Sequence, residues 1–361
     1  MASVDSTKGY ILEEVLAYLI RNAGYRLLVD PEQDPYDLDW KGNGLVVIGR
    51  GTYHQVDVLG QLEWTPSFTF PIRLFAEAKF RSITTGLTIV RNAVGTILDI
   101  NQRYSSLLEQ RHKTVSFRPK YQYAYALFST SGFSKPATTM AMAHQISLID
   151  LSGIEFGDLR NAISNAIPVS TNQVPWEAVL GIRHALRKEL DTIPSGLSRE
   201  SRYIQQGNDV NTERFNLREV IGTAYEYGEV FVGMANGPFM LLLKADRPQD
   251  FLRYATLRPS HDVTISWNPH VEEGRSWEIN PVKRLDNFSY RLTFRLPDIL
   301  AKWIFASYDE ARKRAFYAKQ QFLSAITIYT KRDREDHLFR LNFSASDTLR
   351  QINSGVERRR T

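Results

Sequence analysis

Residues 75–81 read "FAEAKFR", with an acid and a base, Glu77 and Lys79, two apart in an apolar run. Strand side chains alternate faces. Phe75, Glu77 and Lys79 therefore share one face, and Leu74, Ala76, Ala78 and Phe80 share the other. The longer run "PIRLFAEAKF" predicts a strand near 72–80, and "YHQVDVLG" before it predicts another near 53–60. In the earlier strand Val56 and Val58 face one way and Asp57 the other. If the two strands pair, Asp57 lies beside Glu77. Two carboxylates so placed repel unless something positive sits between them. Mg²⁺ answers this, because it takes oxygen ligands and needs only one or two carboxylates. Lys79, on the same face, can orient a water on that cation or take its proton. The plainer alternative is a surface ion pair on an exposed face.

The first helix adds a third acid. In "GYILEEVLAYLIRNA", residues 9–23, Leu12, Val15, Leu16, Leu19, Ile20 and Ala23 recur at helical spacing. Gly24 supplies the stop. Glu13 lies at the edge of that apolar face, about 100° round from Leu12, and Glu14 lies on the far side. Glu13 is then the acid placed to reach over the sheet towards a metal.

Further elements follow in order. "LVVI" at 45–48 is a short strand, and a long helical pattern covers about 86–110. "YQYAYALFS" at 121–129 is an aromatic-rich strand. Ser134 is a helix N-cap with Lys135 and Pro136 in the first turn. "ISLIDL" at 146–151 is a buried strand. This alternation predicts an α/β fold around a mixed sheet. "GRG" at 49–51 reads as a turn between strands, His54 as a satisfied core histidine, and Tyr121, Tyr123 and Tyr125 as strand packing. Arg91 and Asn92 open the helix after the charged strand, where Arg91 either contacts a phosphate or is merely solvated.

These segments resemble a known family. Asp57…Glu77-Ala78-Lys79 fits the D…ExK signature of the PD-(D/E)xK nuclease superfamily, and the resemblance is closest to the Mrr-type restriction endonuclease catalytic domain. Gly9-x-x-Leu12-Glu13 looks like that family's opening helix, and "HQVDVLG" like its metal strand. "FSTSGFSKPATTMAMAHQISLIDL" is similar to its closing strand–helix–strand. The resemblance covers about residues 9–152. The proline of the superfamily name is absent before the Asp57 strand, and Trp64 to Phe70 form an extra loop. The resemblance implies a restriction-endonuclease-like mixed sheet flanked by helices, and Mg²⁺-dependent DNA hydrolysis with Mn²⁺ as a substitute. Asp57 and Glu77 would be metal ligands, Lys79 the catalytic lysine, Glu13 an outer or second-metal ligand, and Gln55 and Arg91 weaker substrate contacts. It implies a setting in restriction or anti-phage defence, with a homo-oligomer or a partner subunit. A nuclease acting on RNA or branched DNA is the enzyme alternative. A catalytically idle nuclease-like fold, used for DNA binding or assembly, is the other.

A chain of 361 residues is too long for one small core and suits two domains. Residues 1–155 form the expected nuclease domain. Residues 156–214 are helical and then linker-like, ending in the polar "PSGLSRESRYIQQGNDVNTE". Residues 215–361 form a second, α+β domain. There "GEVFVGMANGPFMLLLKA" predicts a hairpin turning at Asn236-Gly237. "DVTISW", "SYRLTFRL", "SAITIYT" and "HLFRLNFS" predict strands, with a helical run near 298–319. The basic helix "DEARKRAFYAKQQF" at 309–322 could lie on phosphates, and "VERRRT" reads as a frayed tail. The second domain would select targets, join protomers or sense a trigger. The absence of cysteine excludes disulfides and cysteine-ligated zinc and fits a reducing compartment. No signal-peptide pattern opens the chain and no stretch is long and apolar enough for a membrane helix, so the expectation is a cytoplasmic protein with no membrane partner. A net charge of +5 permits nucleic acid without demanding it. No GxxxxGK[ST] loop is present, so any ATP-driven step would need a partner.

Overall fold

In a computed structural model, residues 1–42, 44–65, 69–103, 120–206, 212–228, 230–235, 240–267, 276–285, 289–296, 320, 322–332 and 335–344 are described. The charged strand sits at the centre of a five-stranded sheet. In sheet order the strands are β2 (Tyr25–Leu27), β6 (Val58–Leu62), β7 (Ile72–Lys79), β8 (Gln122–Ser129) and β9 (Ser147–Asp150). β2, β6 and β7 pair antiparallel, whereas β7, β8 and β9 pair parallel. Parallel neighbours need crossovers, and α2 (Leu87–Asn101) and α3 (Lys135–Ala143) supply them. Ser134 caps α3 through its side chain, with Pro136 in the first turn.

The two faces of β7 build two cores. Leu74, Ala76 and Ala78 pack against α1 (Val4–Asn22). Phe75 packs with Val90, Val94 and Ile97 of α2 and Ala141 of α3. The chain is thus a mixed α/β protein with helices on both faces of its central sheet. Among the described residues, no helix is long and apolar enough to cross a membrane.

Two expectations need correction. The segment 53–60 is not one strand. β5 (Tyr53–Gln55) belongs to a separate antiparallel sheet with β3 (Leu38–Lys41) and β4 (Gly44–Ile48). Val56 still donates its N–H to Leu45 of that sheet, whereas Val58 already pairs with Ala76. Asp57 is therefore the corner at which the chain changes sheets. The second correction concerns α1. It has no solvent side opposite its apolar face, because α4 (Gly157–Asn165), α5 (Trp176–Glu189) and α7 (Leu217–Tyr227) cover it. Leu159, Val179, Ile182, Val220 and Ala224 join the same core as the sheet. The expected linker contains α6 (Arg202–Gln205), with Tyr203 buried, and Ser201 donates to Asp30 at 2.6 Å. β1 (Ala2–Ser3) and β10 (Gln173–Val174) tie the two ends of this layer together.

The remaining strands close a barrel in the order β11 (Phe231–Ala235), β12 (Met240–Ala245), β15 (Leu292–Arg295), β14 (Ser276–Pro281), β13 (Ser260–Trp267), β17 (Glu335–Phe343) and β16 (Ala325–Arg332). Alternate residues point inward: Val263 and Ile265, Leu292 and Phe294, Ile326 and Ile328, Phe339 and Leu341 are all buried. Phe251 of α8 (Pro248–Leu257) packs against Phe231 and Phe339 in the barrel's core. The expected hairpin is β11–β12, with Phe231 opposite Leu243. Its Asn236-Gly237 turn, the "VERRRT" tail and the basic helix at 309–322, apart from Gln320 and Phe322, lie outside the described residues. The barrel leans on the first layer. Tyr329 of β16 stacks on Trp64 at 6.4 Å between ring centroids, and its ring fills the space a side chain at Gly24 would need. Gly24 follows α1 with φ +89°, a left-handed conformation that glycine adopts without strain.

Candidate active site

The pairing of β6 with β7 carries Asp57 to the level of Glu77. Val58 is opposite Ala76, so the residue before Val58 meets the residue after Ala76. Asp57 Oδ2 accepts the backbone N–H of Ala78 at 2.8 Å. Glu77 Oε1 lies 2.6 Å from Lys79 Nζ, and the Tyr125 hydroxyl on β8 donates to Glu77 Oε2. Burial pushes the Asp57 carboxyl up. The Glu77 charge adds to this, while Lys79 and the Ala78 N–H oppose it.

Glu13 approaches from α1. Burial is the largest influence on its carboxyl and pushes it up to about 8. Arg183 opposes that rise, Asp57 and Glu14 add to it, and Lys79 opposes it weakly. Glu13 thus lies within the electrostatic reach of both Asp57 and Lys79. Arg183 Nη2 contacts Glu13 Oε2 at 2.9 Å, but its Nε holds Glu14 Oε1 more closely, at 2.6 Å. One guanidinium shared between two acids leaves Glu13 incompletely neutralised.

Glu14, expected on the far side of the helix, is turned to α5 and buried there. Besides Arg183 it binds Arg187, whose Nη2 lies 2.9 Å from Oε1. Burial works to raise the Glu14 carboxyl, but the two guanidiniums outweigh it and hold the group below the ordinary glutamate value. Four carboxylates, Glu13, Glu14, Asp57 and Glu77, therefore meet the three cations Lys79, Arg183 and Arg187 in one region.

Arg183 and Arg187 are not singled out in the sequence reading, and Tyr125 is read there only as strand packing. A signal for the arginines exists: they lie four apart in α5, beside the buried Val179, Ile182 and Leu186, where a solvated arginine has no place. Tyr125 gave none beyond strand alternation. Its ring does pack, stacked on Phe75 at 5.0 Å, while its hydroxyl serves Glu77. Tyr123 is buried and donates to Asp37, and Tyr121 covers Arg73.

Gln55 ends β5, exposed and close to Asp57 in sequence, and both line a cleft of about 350 Å³ between α1, α5 and the three-stranded sheet. Arg91 is exposed on α2 and does not line that cleft. His54 is satisfied by Asp99 of α2 at 2.8 Å. Asp99 also accepts N–H groups from Gly51 and Thr52, so the "GRG" turn is held by a carboxylate. Among the described residues, no three His, Asp or Glu side chains are gathered as a ready-made metal cage. Glu77 is turned to Lys79 and Tyr125, and Glu13 to Arg183.

No protein-family model matches the chain, and no curated protein matches it. A solved structure, described as the crystal structure of a protein of unknown function, AF1548, is similar over 61% of this chain and 97% of its own, at 18% identity and a TM-score of 0.31.

Proposed function

We propose that the protein is a Mg²⁺-dependent nuclease that hydrolyses DNA phosphodiester bonds on a restriction-endonuclease-like core, in a restriction or defence setting. The observation that carries the reading is the meeting of Asp57, Glu77 and Lys79 at adjoining ends of paired strands, with Glu13 in their field. The mixed sheet with α1 on one face and α2 and α3 on the other supports it.

The donor set fits a hard divalent cation. Asp57 and Glu77 offer carboxylate oxygens of the kind Mg²⁺ prefers. Bound there, Mg²⁺ would supply Lewis-acid polarisation of the phosphate and a more acidic water. The chain's own residues do the rest. The Ala78 N–H fixes Asp57, and the Tyr125 hydroxyl fixes Glu77. Lys79 presents its ammonium to the non-bridging phosphate oxygens, where charge grows in the transition state. Water adds to phosphorus and loses a proton, the bond from phosphorus to the leaving ester oxygen breaks, and that oxygen takes up a proton.

The test is supercoiled plasmid incubated with the full chain in Mg²⁺ and in EDTA. Nicking or linearisation in Mg²⁺ alone is expected. An intact plasmid in both, with RNA and branched DNA also uncut, would leave a binding or assembly module instead.

A further inference from the structure

Beside the acids lies the cleft of about 350 Å³, a volume in the range of small-ligand pockets. Glu13 and Asp57 belong to its walls, so whatever fills it is continuous with the proposed reaction centre. Its other walls mix aromatic and apolar side chains with the polar Glu14, Arg183, Arg187 and Gln206. Tyr10, Trp40 and Trp176 line it, with Leu28, Leu45 and Leu59. Trp176 is 42% exposed, large for an indole, and lies 6.0 Å from the Tyr10 ring, tilted by 55°. Among the described residues, no acceptor meets the buried Trp40 Nε1. A buried donor left unpaired is costly, and a ligand acceptor would relieve it. Gln55, exposed at the same cleft, offers an amide with both donor and acceptor.

Resting on the nuclease reading, we propose that this cleft takes one unstacked nucleobase, from the nucleotide next to the phosphate that Lys79 meets. Flat aromatic walls suit any base, because every base has a π-face. Gln55 and the Trp40 N–H meet the polar edge, and the leucines exclude water from the ring. The substrate class follows. Taking a base out of a paired stack costs free energy, and least where the base is already single-stranded or mismatched. The chain acts on strands that carry an unpaired nucleotide at the cleaved position.

The experiment measures binding of a short single-stranded oligonucleotide and of a fully paired duplex by anisotropy, in Ca²⁺, with the full chain. Wild type is compared with Trp176→Ala, at a position 42% exposed, and with Trp40→Phe, which keeps an aromatic ring but removes the indole N–H. Loss of one stacking wall should weaken single-strand binding about tenfold, since base–aromatic stacking contributes on that scale. Duplex binding should be unchanged. In Mg²⁺, wild type should cut a mismatched duplex faster than a matched one, and Trp176→Ala should lose that preference. Unchanged single-strand affinity in both variants would overturn the proposal, as would equal losses on both substrates. If wild type cuts nothing, the nuclease reading falls while the binding comparison still judges the cleft.

Discussion

Two of the three cores among the described residues, that of the barrel and that of the α1 layer, are built from different materials. The barrel buries rings and aliphatic chains: Trp277, Phe294, Phe251 and Phe339 fill it, and His261 is satisfied there by Tyr290 and the Arg258 carbonyl. Burial pushes that histidine down, towards its neutral form. The α1 layer buries charge instead. Glu14 and Arg187 are both almost wholly enclosed, and Glu13 and Asp57 stand at the edge of the same region. Desolvating ions costs several kcal/mol each, and a hydrophobic replacement is often as stable. A fold needing stability alone could have used the barrel's solution twice. The charged layer is explained by what it places: acids and a lysine at the open end of a sheet.

If α1 depends on α4, α5 and α7 for its second face, cutting the chain at residue 155 breaks that layer most severely. Such a fragment keeps Glu13, Asp57, Glu77 and Lys79 but exposes the outer side of α1. It should lack a cooperative unfolding transition by circular dichroism, and a native-like transition would contradict the shared core.

A smaller effect sharpens the same contrast. Glu14→Ala leaves Arg187 without a carboxylate and Arg183 with Glu13 alone, and should destabilise by about 3–5 kcal/mol in urea titration. Phe251→Ala in the barrel should cost a similar amount through a cavity, also about 3–5 kcal/mol. Only the Glu14 loss should be recovered by also replacing Arg183 and Arg187 with apolar residues. A Glu14→Ala loss below about 1 kcal/mol would mean that the arginines find other partners.

Glu13 gives a pH signature that the barrel lacks. Its folded value, about 8, lies above the ordinary 4.5. The folded state therefore holds a proton that the unfolded state has lost between those two values. Stability from this group is full below about 4.5 and is lost as pH rises to about 8. In EDTA, Glu13→Gln should gain on wild type across that window, by a few kcal/mol at most, and stay level above it. A difference independent of pH would place the Glu13 carboxyl in water.

The smallest expected effect is at Arg91. If it meets a phosphate, Arg91→Ala should flatten the salt dependence of DNA binding by about 0.9 in slope, with little change in cleavage. An unchanged slope would leave it a solvated helix residue.

The parts legible in the sequence were local. Period-two alternation placed Glu77 and Lys79 together, and pairing of consecutive strands brought Asp57 to them. Helix phase set Glu13 at the edge of the apolar face and Glu14 on the far side, but it could not tell that Glu14 is buried, because the face that buries it comes from α5, some 170 residues away. No local pattern announces such a partner. The sheet change at Asp57 was hidden because β5 and β6 share one alternating run. Closure of the barrel depends on the parallel pairing of β13 with β17, whose residues Ser260 and Arg340 meet across a long stretch of chain.

The most direct test of the account compares Glu77→Ala with Lys79→Ala in plasmid cleavage and in calorimetric Mg²⁺ binding. Both variants should lose cleavage by at least about a hundredfold, the scale of removing one transition-state contact. Glu77→Ala should also lose Mg²⁺ affinity, whereas Lys79→Ala should keep it. Substantial cleavage by either variant would contradict the assignment, and so would Mg²⁺ affinity unchanged in Glu77→Ala.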